Sequence, residues 1–322
     1  MIDLVALQSL GAVRAQGSVA GAADLLGFTP SAVSQQLKRL ERQTGAPVLE
    51  RHGRGVLLTE HGRRLADRGA ELLASMEQLE ADLQTAGSLV GGTVRLAAFS
   101  TAVRGLVAPM LERMAADAYG LEVALLEQDP PEALELVASG HVDAALVHTW
   151  GDTPLPRPEH LDLAAVGVDV ADILVPASHP LAGRDRVTPA DLRDEVFACS
   201  PPGSVCHQWL TRMFAGVGGP PRVAYWAGEF SSHLALVEHR AAVSLMPRLG
   251  REVVPESVCV LPVSDPVPTR EVSLVWRRSM GSSPTIGYLR DLLVELGPSL
   301  GLAPPALPGL SQARERHQLP SN

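Results

Sequence analysis

Residues 17–40, GSVAGAADLLGFTPSAVSQQLKRL, leave the chain few conformational choices. Gly17 stops a preceding helix, and Ser18 caps a short alanine-rich one from Val19 to Leu26. Gly27 breaks that helix. Thr29 is a new N-cap with Pro30 at the favoured first helical position. The next helix runs to about Thr44, where Gly45 stops it. Two helices joined this tightly meet at a corner, and small residues are needed where they touch. Ala22 and Ala23 supply them, while Val33, Leu37 and Leu40 give the second helix an apolar anchor. Its opposite face is polar: Ser31, Ser34, Gln35 and Lys38. A plain helical hairpin with a solvated face satisfies this periodicity. A helix-turn-helix satisfies it too, because serine and glutamine reach base edges and lysine reaches a base or a phosphate.

The flanking residues favour the second reading. Leu4, Leu7, Gly11 and Ala15 predict one face of a first helix. Val48 to Thr59 holds two short β-prone pieces around Gly53-Arg54-Gly55, a small hairpin or wing. Residues 1–64 contain eight Lys+Arg and five Asp+Glu, so this end is +3 in a chain of net charge −9, and the remainder is −12. A basic end on an acidic protein fits nucleic-acid binding. From Glu60 to Ala86 there is no proline, and Leu65, Gly69, Leu72, Met76, Leu79 and Leu83 recur at spacings of 4, 3, 4, 3 and 4. That is a heptad-like seam on one long helix, which needs a partner, most simply the same helix of a second copy.

At Gly91-Gly92 the pattern changes. Strands (Val94–Ala97, Leu121–Leu126, Val142–Val147) alternate with helices (Thr101–Ala116, Pro131–Ser139), which implies a mainly parallel sheet. Further strands are expected at Leu163–Val168, Asp172–Val175, Val196–Ala198, Val223–Trp226, Ala242–Met246, Val258–Val263 and Glu271–Trp276. Helices are expected at Val205–Ala215, Phe230–His239 and Pro284–Leu296. From Gly297 five prolines fall in 26 residues without periodicity, so a disordered tail is expected over 297–322.

Several function classes fall away. No apolar run approaches the ~18 residues that span a bilayer. The start Met1-Ile2-Asp3-Leu4 lacks the form of a signal peptide, so a cytoplasmic protein is expected. Three cysteines, Cys199, Cys206 and Cys259, form no CxxC, and the ten histidines show no metal-ligand spacing. There is no GxSxG, GxxxxGK[ST], HExxH or GxGxxG. Neither an enzyme nor a cofactor is expected. A catalytic constellation assembled only in space, or a binding scaffold that no longer reads DNA, are the competing readings.

The strings AADLLGFTPSAVSQQLKRLE (Ala22 to Glu41) and LERHGRGVLLTEHG (Leu49 to Gly62) resemble the winged helix-turn-helix of bacterial LysR-type transcriptional regulators. That resemblance implies an all-α winged helix-turn-helix DNA-binding domain at 1–59 and a linker and dimerisation helix at 60–87. It implies a two-lobed α/β effector domain like the periplasmic binding proteins at 93–296. Lobe one would be 93–165 and 266–296, and lobe two 166–265, with crossovers near Ala165–Gly167 and Ser264–Pro266. It further implies that Ser31, Ser34, Gln35 and Lys38 face the major groove. Thr29 would cap the recognition helix beside a phosphate, and Arg51 and Arg54 would set the wing on the backbone or in the minor groove. Many members carry glutamine where this chain has Pro30, and a proline cannot read a base. Leu65, Leu72, Met76, Leu79 and Leu83 would make the dimer seam of a homodimer or homotetramer on promoter DNA.

For the unknown small-molecule effector, strand ends followed by helix N-termini offer free N–H groups that suit carboxylates. Ser100-Thr101 and Ser204-Val205 occupy such points, and His148, Thr149, Phe230 and Ser231 should border the same cleft. Each has a plainer role open to it: capping for the hydroxyls, packing for His148 and Phe230. Many members carry Ala-Gly-x-Gly where this chain has Glu238-His239-Arg240-Ala241. Some relatives sense peroxide through a cysteine pair in lobe two, so Cys199 and Cys206 offer a redox alternative, with Cys206 near a helix N-terminus.

Overall fold

The computed structural model describes residues 2–52, 55–86, 90–117, 120–151 and 155–305. Three helices open the chain: α1 (Leu4–Gln16), α2 (Val19–Leu26) and α3 (Pro30–Thr44). Asp3, Ser18 and Thr29 cap them by accepting from the backbone N–H of Val5, Gly21 and Ala32. Gly17, Gly27 and Gly45 end them at positive φ (63°, 64° and 78°), where an L side chain would be strained. The core holds Leu10, Ala22, Ala23, Val33, Leu37 and Leu40. The face expected on α1 is corrected: Ala6, Leu7, Leu10 and Val13 are buried and Ala15 is exposed. The helix packs against α2, α3 and the linker helix at once, so its buried side is wider than a single stripe.

The wing is an antiparallel pair, β1 (Leu49–His52) and β2 (Gly55–Leu58), with Arg51 opposite Val56. Helix α4 (Glu60–Ala86) follows and at 27 residues is about 40 Å long. Its first turns dock on the helical core: a Cβ on Gly62 would lie 2.1 Å from the Val48 carbonyl oxygen, and one on Gly69 would lie 3.0 Å from Leu7.

The α/β part begins with β3 (Gly92–Ala98), then α5 (Ser100–Ala102), which passes through a π-helical turn at Val103–Val107 into α6 (Ala108–Asp117). There follow β4 (Leu121–Glu127), α7 (Pro130–Ala138), β5 (Ala144–Trp150) and β6 (Leu161–Pro176). After these come β7 (Val196–Cys199), α8 (Val205–Met213), β8 (Arg222–Trp226), α9 (Phe230–Glu238), β9 (Ser244–Pro247), β10 (Val258–Pro262), β11 (Thr269–Arg277) and α10 (Pro284–Leu296). The strand order is β10-β6-β11-β5-β3-β4, with β9 also on β6 and a separate parallel pair β7-β8. The sheet is mixed: β3 is parallel to β4 and β5, and β11 runs antiparallel to β5 and β6.

Three expectations are corrected. The strands expected at Leu163–Val168 and Asp172–Val175 are one strand, β6, which serves both lobes. Its residues 161–170 pair with β11, and 171–176 pair with β9 and β10. Strand β5 runs on to Trp150, so His148 and Thr149 lie inside it. The segment after Gly297 is packed as far as 305: Leu302 joins the lobe-one core and Ala303 bridges Val168. Leu302 is held by contact with Gly167, where a Cβ would come within 2.7 Å of it. Residues 306–322 of the expected tail lie outside the described residues.

Candidate nucleic-acid interface and effector cleft

Helix α3 is anchored through one face and open on the other. Val33 and Leu40 are fully buried, Leu37 nearly so, and the Ser9 hydroxyl donates to Gln36 Oε1 at 2.6 Å. Ser31, Gln35 and Lys38 are exposed, and Ser34 is half-buried with its hydroxyl donating to the Pro30 carbonyl at 2.8 Å. Thr29 is exposed and spends its hydroxyl oxygen on the Ala32 N–H at 3.2 Å. Farther along, Lys38, Arg39 and Arg42 rim an open groove against the Gly45–Pro47 turn, although Arg39 also pairs with Asp3 at 2.8 Å. Arg51 is exposed on β1, and Arg54 lies outside the described residues.

The linker helix has two different apolar stretches. Leu65 is half-buried and packs onto the helical core of its own chain. Leu72, Met76, Leu79 and Leu83 are 47%, 38%, 59% and 65% exposed, which leaves a continuous apolar stripe facing solvent.

Between the lobes the decisive group is one that sequence reasoning missed. Arg270, at the start of β11, is 1% exposed. Its Nε and Nη2 both reach Asp169 Oδ2, at 2.9 and 2.8 Å, and Nη2 also donates to Thr101 Oγ1 at 2.8 Å. Asp169, opposite it on β6, takes the Val170 and Leu249 N–H groups on Oδ1 at 2.8 and 3.0 Å. The guanidinium lies over the rings of Phe99 and Trp150, 5.1 and 5.3 Å from their centroids. The cost of burying this ion pair is offset by the hydrogen bonds it makes and receives and by the two aromatic faces.

An aromatic row extends from this pair. His148 meets Phe99 edge-on at 4.6 Å, and Trp150 of lobe one stacks on Trp209 of α8 at 6.3 Å and 12°. His148 Nδ1 and the indole nitrogens of Trp150 and Trp209 are buried without an oxygen or nitrogen partner. Burial, then the charge of Arg270, holds the His148 pKa well below its ordinary value, so this ring is neutral near pH 7. The lobes also touch at Gly250, whose carbonyl accepts from Arg104 Nε at 3.1 Å and whose Cβ would sit 2.3 Å from the Thr101 carbonyl oxygen. Two small recesses flank the row, and Phe230 lines both.

The expected cleft residues divide accordingly. Thr101, His148, Val205 and Phe230 come together at the lobe interface. Ser100 is half-buried at the start of α5. Thr149 alternates to the opposite face of β5 from His148. Ser204 caps α8 through the His207 N–H at 3.2 Å, and the Ser231 hydroxyl donates to Glu229 at 3.2 Å. Cys199 and Cys206 both border the first recess. Burial pushes the Cys199 thiol up to about 12, with Cys206 adding to the shift, and burial also raises Cys206 against the opposing pull of Arg270.

Two family matches cover this architecture. Residues 4–63 match the bacterial regulatory helix-turn-helix protein, lysR family, and residues 87–298 match the LysR substrate binding domain. The small neutral protease regulatory protein of Streptomyces coelicolor is 34% identical over 235 residues, which are 72% of this chain and 69% of that protein. The probable HTH-type transcriptional regulator LrrA of Synechococcus elongatus is 26% identical over 301 residues, 93% of this chain and 99% of that one. Among solved structures, a full-length OxyR variant from Pseudomonas aeruginosa superposes with a TM-score of 0.65 at 19% identity, covering 91% of this chain and 95% of its own. Full-length CbnR complexed with its target DNA superposes with a TM-score of 0.54 at 19% identity, covering 91% and 99%.

Proposed function

The chain belongs to the LysR family of bacterial helix-turn-helix regulators, and from that membership we propose how its parts divide the work. It is a DNA-binding transcriptional regulator with an effector-binding domain, and its family binds promoter DNA and forms oligomers. In our reading α3 enters the major groove with Ser31, Ser34, Gln35 and Lys38 toward the bases, Thr29 near a phosphate, and Arg51 and Arg54 on the flanking backbone. The Leu72–Leu83 stripe joins two copies. The protein works in the cytoplasm, by binding and not by turnover.

The effector seats between the lobes, against Thr101, His148, Val205 and Phe230, with Ser100, Thr149, Ser204 and Ser231 at the margins. We infer that its body is flat and apolar. The observation that carries this is the aromatic row of Phe99, His148, Trp150 and Trp209 at the lobe interface, beside indole N–H groups that can only donate. Entry requires the lobes to part, so the ligand selects among lobe arrangements. The redox reading of Cys199 and Cys206 needs a thiolate, and burial raises both thiols; this favours ligand binding.

The test is fluorescence anisotropy with DNA upstream of the protein's own gene, beside a scrambled duplex, across a salt series. Preference for the native duplex at near-physiological salt supports the reading. Lys38→Ala should weaken binding and, if the ammonium meets a phosphate, lower the salt slope by about 0.9 for each bound copy. Equal affinities for both duplexes, with Lys38→Ala unchanged, would overturn the assigned reading face.

A further inference from the structure

Strand β11 carries a buried arginine at each end. Arg270 sits in the cleft. Arg277, seven residues on and about 23 Å away along the strand, is 6% exposed at the opposite end of lobe one. An odd separation turns the two side chains to opposite faces of the sheet.

Arg277 grips the linker helix. Its Nε donates to both carboxylate oxygens of Glu77 on α4, at 2.8 and 2.9 Å. Its Nη1 donates to the carbonyls of Val137, in α7, and Val142, at 2.7 and 2.6 Å, and its Nη2 lies 2.9 Å from the Met280 sulfur and 3.6 Å from Asp143. Ser279 adds a hydroxyl donated to Glu77 Oε2 at 2.6 Å. This is a socket shaped for one carboxylate. It occupies a side of α4 distinct from the open Leu72–Leu83 stripe, so the helix can be held by its own effector domain while the stripe meets a second copy. The helical head touches the same lobe: Gln16 donates to Glu135 of α7 at 2.6 Å, and Leu25 packs against the core cluster that contains Ala133 and Leu134.

We propose that the Glu77–Arg277 joint is the point through which the arrangement of the lobes is passed to the linker helix, with β11 as the connecting element. The strand is hydrogen-bonded to β5 on one side and β6 on the other, so it moves as part of a rigid sheet. The lobes meet where Arg270, Asp169, Thr101 and Leu249 are tied together. A change of lobe angle re-aims that end of β11, and the other end holds α4 through a carboxylate clamped by three donated hydrogen bonds. Coupling of this kind is reciprocal. Loosening the joint must therefore alter the cleft.

That reciprocity gives the experiment. The proposal rests on the regulator reading for its meaning, but the test uses no DNA, so its failure leaves the anisotropy result standing. Hydrogen exchange read by mass spectrometry on the full chain compares wild type with Glu77→Gln, Ser279→Ala and Arg278→Ala. Glu77→Gln keeps the shape, and Arg277 retains its two carbonyls. Ser279→Ala removes one donor and leaves the buried guanidinium untouched. Arg278→Ala cuts the neighbouring surface contacts to Asp162 and the Glu159 carbonyl. Glu77→Gln should speed exchange in residues 73–83 and also shift it in the cleft segments 99–107 and 205–213 by at least about fivefold, the low end of coupling between sites. Ser279→Ala should give a smaller shift of the same sign, and Arg278→Ala none in the cleft. Changes confined to α4 and residues 137–143, no change at all, or an equal cleft response to Arg278→Ala would each overturn the proposal.

Discussion

Replacing Arg270 by methionine keeps the side-chain length and removes the charge, which leaves Asp169 as an unpaired anion at 1% exposure. Removing one partner of a buried pair costs about 3–5 kcal/mol. Asp169 Oδ1 keeps the N–H groups of Val170 and Leu249, whereas Oδ2 loses both of its donated bonds. That retention puts the expected cost at the lower end, about 3 kcal/mol. Asp169→Asn is the milder change, because Arg270 keeps Thr101 and two aromatic faces. The double variant Arg270→Met with Asp169→Asn buries no charge, so it should be more stable than Arg270→Met alone. All four tryptophans (150, 209, 226 and 276) lie within residues 93–296, so urea unfolding followed by tryptophan fluorescence reads this domain and not the helical head. At a slope of about 1–3 kcal/mol per molar urea, a loss of 3 kcal/mol lowers the midpoint by about 1 M or more. A midpoint within about 0.3 M of wild type for Arg270→Met, or a double variant no more stable than that single one, would refute the charge argument.

Gly62→Ala places a methyl group 2.1 Å from the Val48 carbonyl oxygen. It should cost about 2 kcal/mol or more through overpacking, speeding exchange in α1–α3 while the tryptophan-monitored transition stays put; unaltered exchange would count against that packing. Leu79→Glu inserts a charge into the open stripe of α4 and should shift the sedimentation profile toward monomer. Val294→Glu, on an exposed position of α10, should not, and an unchanged mass for Leu79→Glu would remove the stripe from the interface. Acidification should destabilise the effector domain. Burial lowers the pKa of His148 and His233, and burial with Arg95 and Arg277 lowers His141 to about 4. The unfolded chain then binds more protons than the folded one at mildly acidic pH. Stability is full above the ordinary histidine value near 6.5 and is lost as pH falls toward the folded values. The urea midpoint should drop between about pH 7 and pH 5, and less so in His141→Gln; a flat profile would contradict the burial of these rings.

The helical head was legible because its determinants are local. A cap, a left-handed glycine and an apolar spacing sit within a few residues of what they control, as Ser18, Gly27 and Val33–Leu37–Leu40 do. Where a helix gains neighbours on several sides, local periodicity loses its hold, and the misread face of α1 is the example. The long helix was legible as a helix, yet its seam reads as uniform. Only the fold divides it into Leu65, used inside the chain, and Leu72 to Leu83, left outside.

The cleft was not legible, for reasons that can be named. Arg270 meets Asp169 across 101 residues and Thr101 across 169, and no window of sequence contains both ends of such a bond. Asp169 looks like a break in β6, and the strand reads as two on either side of it. In the fold it is a contact, because Asp169 pairs with Arg270, and Gly167 within the same strand makes room for Leu302. His148 and Thr149 likewise look like the polar end of β5, whereas the strand carries on to Trp150 because lobe two closes over it. A charge or a small residue inside a strand pattern therefore has two meanings, an end or a distant partner, and local pattern favours the first. Arg277 repeats the lesson at the far end of β11. In sequence it is the first of two arginines after an apolar run; in the fold it holds a carboxylate two hundred residues earlier. The residues that tie the reading head, the linker and the cleft into one molecule are those whose meaning is set entirely by what they meet.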